Sequence, residues 1–263
     1  MQSAQNEITL YVFSGRVLPE RATIHINSPF EFSVPLQDGV PAGRLQIYLI
    51  ASQASAIFSA KGVVENTFTL RNIVEDATRT VLDAVGYCHG LGYDLDIAQM
   101  ICPERGQVQI FGIDVPAVGK ICEDLGVAWQ QVMTALDTQQ GVYLRHALAD
   151  LREATKSPKD TGFFCYRAVE SLKNGAVIQA GERAAKSRKK SQDWQVFRET
   201  YSIEKEDILE IKKYADPVRH GNAFEAVPLS DAERGHILST AWKIVATFVL
   251  AVTARLGGTD RPS

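Results

Sequence analysis

The chain has 263 residues, 45% of them hydrophobic, which is enough for two modest domains or one large one. A formal net charge of -3 excludes a protein that attracts nucleic acid through its overall charge, and the four cysteines match no structural zinc pattern. Because residues 1–6 are polar and the apolar run 244–254 is too short to span a bilayer, we expect a reduced, cytoplasmic protein without a membrane segment.

The first part of the chain shows the alternating apolar pattern of β-strands, with turn residues between the runs. Strands are predicted over Ile8–Phe13, Thr23–Ile26, Phe30–Val34, Leu45–Ile50 and Gln107–Phe111. Between the last two, apolar residues over 69–90 recur at helical spacing and predict one long amphipathic helix. The sequence therefore predicts an α+β domain over residues 1–117, with an antiparallel sheet covered by one helix.

From residue 118 the periodicity becomes helical and predicts a second, all-α domain over residues 118–263. Its helices are predicted over Gly126–Leu136, Tyr143–Ala154, Gly162–Gly175, Trp194–Thr200, Glu204–Ala215 and Asp231–Leu256. Pro217 lacks a backbone N–H and should end the fifth of these helices. In the last helix, a stripe of apolar side chains is expected in the core, with a dimer interface as the alternative. This stripe consists of Leu238, Trp242, Val245, Val249 and Val252.

Positive charge is concentrated in one stretch of the helical half. Residues 156–190 contain 9 Lys and Arg against 3 Asp and Glu, a local excess of the kind that attracts phosphates. The segment 181–193 is charged and poor in apolar residues, so we expect a mobile loop there. A solvated face and a loop would give the same pattern without binding anything.

Two groups suited to phosphate chemistry stand side by side at Arg219 and His220. Arginine is a permanent cation with a fork of donors, and histidine titrates near neutral pH. Cleavage of RNA without a metal requires proton transfer at the 2′-hydroxyl and at the leaving oxygen, together with stabilisation of the developing charge. His220 is therefore the candidate acid and base, and Arg219 the candidate that stabilises the charge. In the structural alternative, His220 only caps the helix.

A second predicted helix carries Arg167 and Glu170 on one face, three residues apart. If it packs on the helix that precedes His220, Glu170 could bond the imidazole and fix its tautomer. Lys213 and Asp216 would then contribute to substrate binding. In the alternative, Arg167 pairs only with Glu170 and Asp216 only with Arg219. Trp194 could stack on a base, although a tryptophan that opens a helix is more often part of a core.

Two segments carry a resemblance to a known superfamily. Phe163-Phe-Cys-Tyr-Arg-Ala-Val-Glu-Ser-Leu172 precedes Ile211-Lys-Lys-Tyr-Ala-Asp-Pro-Val-Arg-His-Gly221 by about forty residues, and the pair resembles the HEPN (higher eukaryote and prokaryote nucleotide-binding) superfamily. The β-rich front followed by such a helical half is similar to bacterial defence proteins of the ApeA-like group. The resemblance implies an all-α module that binds RNA or a nucleotide, a metal-independent ribonuclease activity, and a homodimer.

The sequence departs from the pattern of the active ribonucleases at one position. The family has Arg where Ala215 stands, so Lys213 or Arg219 would have to replace that cation. We therefore keep a second function class open, a non-catalytic dimerising module for interaction or sensing. No phosphate loop, dinucleotide fingerprint or paired metal-ligand helix is present in the sequence, and neither a metal nor a cofactor is predicted.

Overall fold

The computed structural model describes residues 8–19, 21, 23–37, 39–112, 115–179, 190–221 and 229–258. It contains two compact units. Residues 1–113 and 228–231 form the first, and residues 114–227 and 232–263 form the second. The sequence had placed the boundary between residues 117 and 118.

The first unit is built on a six-stranded antiparallel sheet with the strand order β2-β3-β4-β1-β5-β6. Its strands are β1 (Ile8–Leu18), β2 (Phe30–Val34), β3 (Gly43–Ile50), β4 (Gln53–Lys61), β5 (Asp94–Cys102) and β6 (Gln107–Ile110). The helix α1 (Thr67–His89) lies between β4 and β5 in the chain, and a 3₁₀ turn, Pro103–Arg105, joins β5 to β6. The predicted α+β class, with an antiparallel sheet and one long helix before a helical half, is confirmed.

Alternation along the strands buries one face of the sheet against α1. Tyr11 and Phe13 of β1 and Phe58 of β4 are fully buried in one core with Leu70 and Val74 of α1. Residues two apart in a strand lie on the same face of the sheet, so the alternation of apolar residues along the strands determines which face α1 covers.

Both ends of α1 have recognisable caps. The side chain of Asn66 accepts a hydrogen bond from the backbone N–H of Thr69 at 3.0 Å, which satisfies one of the free donors of the first turn. Gly90 ends the helix in the left-handed region, with φ of 66°.

The strand β4 was missed in the sequence, although it lies near the centre of the sheet. It joins β3 through Ala51 and Ser52, whose φ angles are 49° and 61°. Such two-residue turns usually contain Asn-Gly or Asp-Gly, because both central residues need a positive φ. Here an alanine and a serine adopt it, and the chain offers no hairpin signal at this point.

The prediction of a strand over Thr23–Ile26 was wrong, because this segment has no regular strand structure. It is still held against the sheet by backbone bonds, from Ile26 N–H to the carbonyl of Leu49 and from Ser52 N–H to the carbonyl of Ile24. The β-forming residues of this segment therefore reflect its packing against the sheet and not a place among the hydrogen-bonded strands.

The second unit is helical. Its helices are α2 (Ile121–Asp124), α3 (Trp129–Leu136), α4 (Gly141–Lys156), α5 (Thr161–Gln179), α6 (Lys190–Tyr201), α7 (Lys205–Arg219) and α8 (Asp231–Gly258), of which α8 begins at the last residue of the first unit. The helix α5 packs against α4, α6 and α7 and is the centre of this unit. The four-residue helix α2 was not predicted. The expected loop over 181–193 is partly replaced by α6, which begins at residue 190, and residues 181–189 lie outside the described part of the chain.

The long helix α8 belongs to the core. Four residues of its predicted apolar stripe are buried, namely Leu238, Val245, Val249 and Val252. These four residues therefore belong to the core, as expected, whereas Trp242, the fifth, is half-buried. Within the described residues, α8 is the one helix long and apolar enough to cross a bilayer, but more than half of its most apolar stretch is buried inside the protein. This is typical of the core helix of a soluble protein.

Candidate functional site

The two segments singled out in the sequence lie on helices that pack against each other, α5 and α7. Close approach is possible because residue 162 is glycine. A Cβ atom built there would lie 2.7 Å from the Cβ of Tyr214 and 2.9 Å from its carbonyl oxygen, distances at which something must shift. Gly162 thus lets the backbone of one helix touch the other.

Pro217 does not end α7, contrary to the prediction. The helix continues to Arg219, and the backbone N–H of His220 still bonds the carbonyl of Asp216 at 3.0 Å. A proline removes its own N–H bond and its ring crowds the carbonyl four residues before it, but the residues that follow it can still form helical bonds, as His220 does here. Gly221, with φ of 66°, then turns the chain away.

Arg219 and His220 are both exposed at this helix end. In the parts of the chain that the structure describes, no hydrogen bond joins the imidazole of His220 to Glu170 or to another side chain. Lys213 is exposed as well, with its ammonium 5.1 Å from the ring centre of Tyr214. The predicted cations are therefore accessible, and the predicted Glu170–His220 bond is not present.

Arg167 and Glu170 have partners other than those considered in the sequence. The guanidinium of Arg167 bonds the buried carboxylate of Asp150 on α4, with Nε 2.9 Å from Oδ1. Glu170 lies 3.6 Å from the ammonium of Lys173, one turn further along α5. The two residues therefore do not pair with each other, and Arg167 ties α5 to α4.

Tyr166 connects the end of α7 to a pocket. Burial of its hydroxyl raises the pKa of Tyr166, the charges of Glu170 and Asp216 raise it further, and the charge of Arg219 lowers it. Arg219 is therefore close enough to Tyr166 for its charge to act on this hydroxyl.

The pocket lies among α5, α6 and α7 and has a volume of about 390 Å³. Its lining contains two aromatic side chains, Tyr166 and Trp194, and three cations, Arg198, Lys205 and Lys212. The remaining lining residues are Ser191, Gln195, Ile208 and Leu209. No carboxylate is among the lining residues that the structure describes.

Trp194 is held in place from several sides. The ammonium of Lys173 lies 4.9 Å from its ring centre, and the ring of Tyr166 is 5.8 Å away. Phe197, which is fully buried, contacts it edge to face at 6.0 Å. The indole is therefore a positioned wall of the pocket and is only partly buried.

The cations of the pocket are lightly neutralised. Lys212 lies 3.8 Å from Asp216, a distance at which a pair open to solvent is weak. The side chains of Arg198 and Lys205 form no ion pair or hydrogen bond with any residue that the structure describes. Outside the lining, the exposed carboxylate of Glu199 accepts a bond from Gln195 at 2.8 Å, and the charges of Glu170 and Asp216 act on Tyr166.

Of the seven predicted site residues, the structure places Trp194 in the pocket, and Glu170, Asp216 and Arg219 within electrostatic reach of Tyr166. Sequence reasoning missed Tyr166, Arg198, Lys205 and Lys212 as a group. A signal for them exists, because the lining residues of α6 and of α7 follow the same helical spacing of three, four and seven. They are residues 191, 194, 195 and 198 on α6, and residues 205, 208, 209 and 212 on α7.

The fold and this pocket define an α+β protein with a β-sheet unit and a helical unit that carries an aromatic and cationic cavity. Among the described residues, no group of three or more His, Cys, Asp or Glu could hold a metal ion.

Residues 11–111 match the N-terminal domain, and residues 129–253 the C-terminal domain, of a family described as a domain of unknown function, DUF8168. The chain thus carries both domains of this family in order. No curated protein and no solved structure matches the chain significantly.

Proposed function

We propose that the helical unit binds a nucleotide, either free or as part of single-stranded RNA, in the pocket among α5, α6 and α7. The observation that carries this proposal is the combination of Trp194 and Tyr166 with three cations in one cavity, without a carboxylate among the described residues that line it. The two segments that resemble the HEPN superfamily lie on α5 and α7, which pack against each other, and this packing supports a HEPN-like module.

Both parts of a nucleotide have a counterpart in the pocket. Stacking of a base on an aromatic side chain contributes about 1–3 kcal/mol and tolerates any base. Arg198 can bond a phosphate through two N–H groups, and Lys205 and Lys212 can act as point charges. A carboxylate in the lining would repel the phosphate, and the lining residues within the described part of the chain include none, which agrees with an anionic ligand.

Binding can be tested with a fluorescently labelled adenine nucleotide and a labelled single-stranded RNA in anisotropy titrations. We expect Trp194→Leu to weaken binding about 10-fold or more, because the stacking surface is lost. Trp129→Leu is the matched control, since Trp129 lies on α3 and is 70% exposed. Arg198→Gln, which leaves the aromatic packing intact, provides a second variant should Trp194→Leu fold poorly.

Raising the salt concentration should weaken binding, because phosphate contacts release counterions. If the wild type binds neither probe, or if Trp129→Leu reduces binding as much as Trp194→Leu, the proposal is wrong. The non-catalytic module for interaction or sensing would then be the better description of this chain.

A metal-independent ribonuclease is the second candidate function. What supports it is that Arg219, next to His220, acts electrostatically on Tyr166, which lines the pocket. In this mechanism His220 takes the proton of the 2′-hydroxyl, whose oxygen bonds the phosphorus as the bond to the 5′-oxygen breaks, and the protonated imidazole then returns that proton to the 5′-oxygen. Arg219 stabilises the charge on the phosphoryl oxygens.

Cleavage of labelled single-stranded RNA and tRNA in EDTA tests this activity. His220→Ala should abolish it without affecting the fold, because the side chain is exposed, whereas His146→Ala on α4 should leave it unchanged. Cleavage that persists in His220→Ala would refute the role of His220.

The resemblance also supports a cytoplasmic homodimer as part of this proposal. Sedimentation equilibrium should give twice the mass of 28.9 kDa. A monomer at micromolar concentration would contradict the dimer.

A further inference from the structure

We infer that the pocket takes a free nucleotide with two or more negative charges on its terminal phosphates, in preference to an internal residue of an RNA chain. This inference rests on the proposed function and narrows it to a ligand class. It is carried by the number and placement of the cations in the pocket.

The three cations come from two neighbouring helices. Arg198 lies one turn after Trp194 on α6, so a cation follows the stacking surface along the same face. Lys205 and Lys212 lie seven residues, or two turns, apart on the facing stripe of α7. Charges therefore stand on both sides of the cavity, and a chain of phosphates could contact them together.

A free nucleotide and an internal residue of an RNA chain differ in the negative charge that they bring to the pocket. An internal phosphodiester carries one negative charge, whereas a terminal phosphate carries about 1.5 to 2 at neutral pH and a diphosphate about 3. The pocket presents three positive charges, of which Lys212 is partly neutralised by Asp216 at 3.8 Å. A single internal phosphodiester would leave most of this charge without a partner.

The start of α7 adds to the attraction. Lys205 is the first residue of this 15-residue helix, and the side chain of the N-cap residue Glu204 makes no capping bond. The N–H groups of the first turn are thus not capped by that side chain and carry the positive end of the helix dipole. The exposed carboxylates of Glu206 and Asp207 reduce this effect but do not line the pocket.

The inference can be tested by calorimetric titration of the full chain, without divalent cations, against adenosine, AMP, ADP and an oligoadenylate of eight residues with a 5′-hydroxyl. We expect ADP to bind at least 10-fold more tightly than adenosine and more tightly than the oligonucleotide. Lys205→Gln and Lys212→Gln should each weaken ADP binding about 5-fold or more, and weaken it more than they weaken the binding of adenosine. Lys243→Gln is the control, because Lys243 is exposed on α8 and does not line the pocket.

The outcomes separate this inference from the proposal on which it rests. If the oligonucleotide binds more tightly than ADP and depends on Trp194, nucleotide binding stands and the preference for a free nucleotide is refuted. The same conclusion follows if adenosine and ADP bind equally well. If no probe binds, both are refuted. A fivefold loss of ADP affinity in Lys243→Gln as well would show that general charge, and not the pocket, attracts the ligand.

Discussion

The substitution Gly162→Ala tests whether α5 and α7 touch as closely as the structure shows. The added Cβ would lie 2.7 Å from the Cβ of Tyr214 and 2.9 Å from its backbone carbon, whereas ordinary contacts begin near 3.4 Å. The two helices would have to move apart by about 0.7 Å at this point, because the neighbouring atoms include backbone that cannot rotate away.

The magnitude follows from two opposing effects. Overpacking of a tight contact costs about 1–3 kcal/mol, and replacing glycine by alanine in a helix returns about 0.5–1 kcal/mol. We therefore expect Gly162→Ala to lower the free energy of unfolding by about 1–2 kcal/mol and the melting temperature by about 2–8 °C. The same shift would move Tyr166 relative to the lysines of α7 and weaken ligand binding.

Gly175→Ala is the matched control on the same helix. Its Cβ would meet only the side chain of Tyr143, at 3.1 to 3.2 Å, so that a displacement of a few tenths of an ångström relieves the contact. Thermal unfolding followed by circular dichroism at 222 nm should show Gly175→Ala within about 2 °C of the wild type. If Gly162→Ala melts at or above both other proteins, the close approach of α5 and α7 is wrong.

Three further predictions concern other parts of the chain. A thiol reagent should label two of the four cysteines in the native protein and all four after denaturation. Burial shields the other two thiols from the reagent and raises the pKa of one of them, Cys165. The exposed pair is Cys88 and Cys122, and the buried pair is Cys102 and Cys165. Burial also raises the pKa of Tyr166 and of Tyr201, so absorbance at 295 nm should show late titrating hydroxyls that are lost in Tyr166→Phe and in Tyr201→Phe. These hydroxyls hold their protons more tightly in the folded chain than in the unfolded chain. The free energy of unfolding should therefore fall as pH rises above about 10, the ordinary pKa of tyrosine, and an increase in that range would contradict the raised pKa values. Asp150→Asn, which removes the charged partner of Arg167, should lower the free energy of unfolding by about 1–2 kcal/mol in urea titrations, and no change would show that the pair does not fasten α5 to α4.

Only part of the candidate site was visible in the sequence, because Trp194 alone among the pocket's lining residues was predicted as a site residue. The residues 163–172 and 211–221 stood out through their charged and aromatic side chains, and Trp194 was named as a stacking residue. The partners of these residues were not predicted, because Asp150 lies 17 residues before Arg167 in the chain and faces it only through the packing of α4 on α5. The pairing of His236 with Glu210 at 3.0 Å was missed for the same reason.

The sequence alone determined the α+β class and the approximate positions of most helices and strands. These follow from local periodicity, which short stretches of chain carry by themselves. It did not reveal β4, since the turn through Ala51 and Ser52 adopts positive φ without glycine or asparagine. It also misjudged Pro217, because a proline removes its own helical bond but does not prevent the bonds of the residues after it, such as that of His220.

Only the tertiary structure decided which residues share a cavity. Trp194, Arg198, Lys205 and Lys212 form one pocket because α6 and α7 turn matching stripes toward each other beside Tyr166. Such a meeting depends on contacts between residues far apart in the chain, which no local pattern encodes. The same packing on α5 leaves Arg219 near Tyr166, and a glycine at position 162 makes that packing possible.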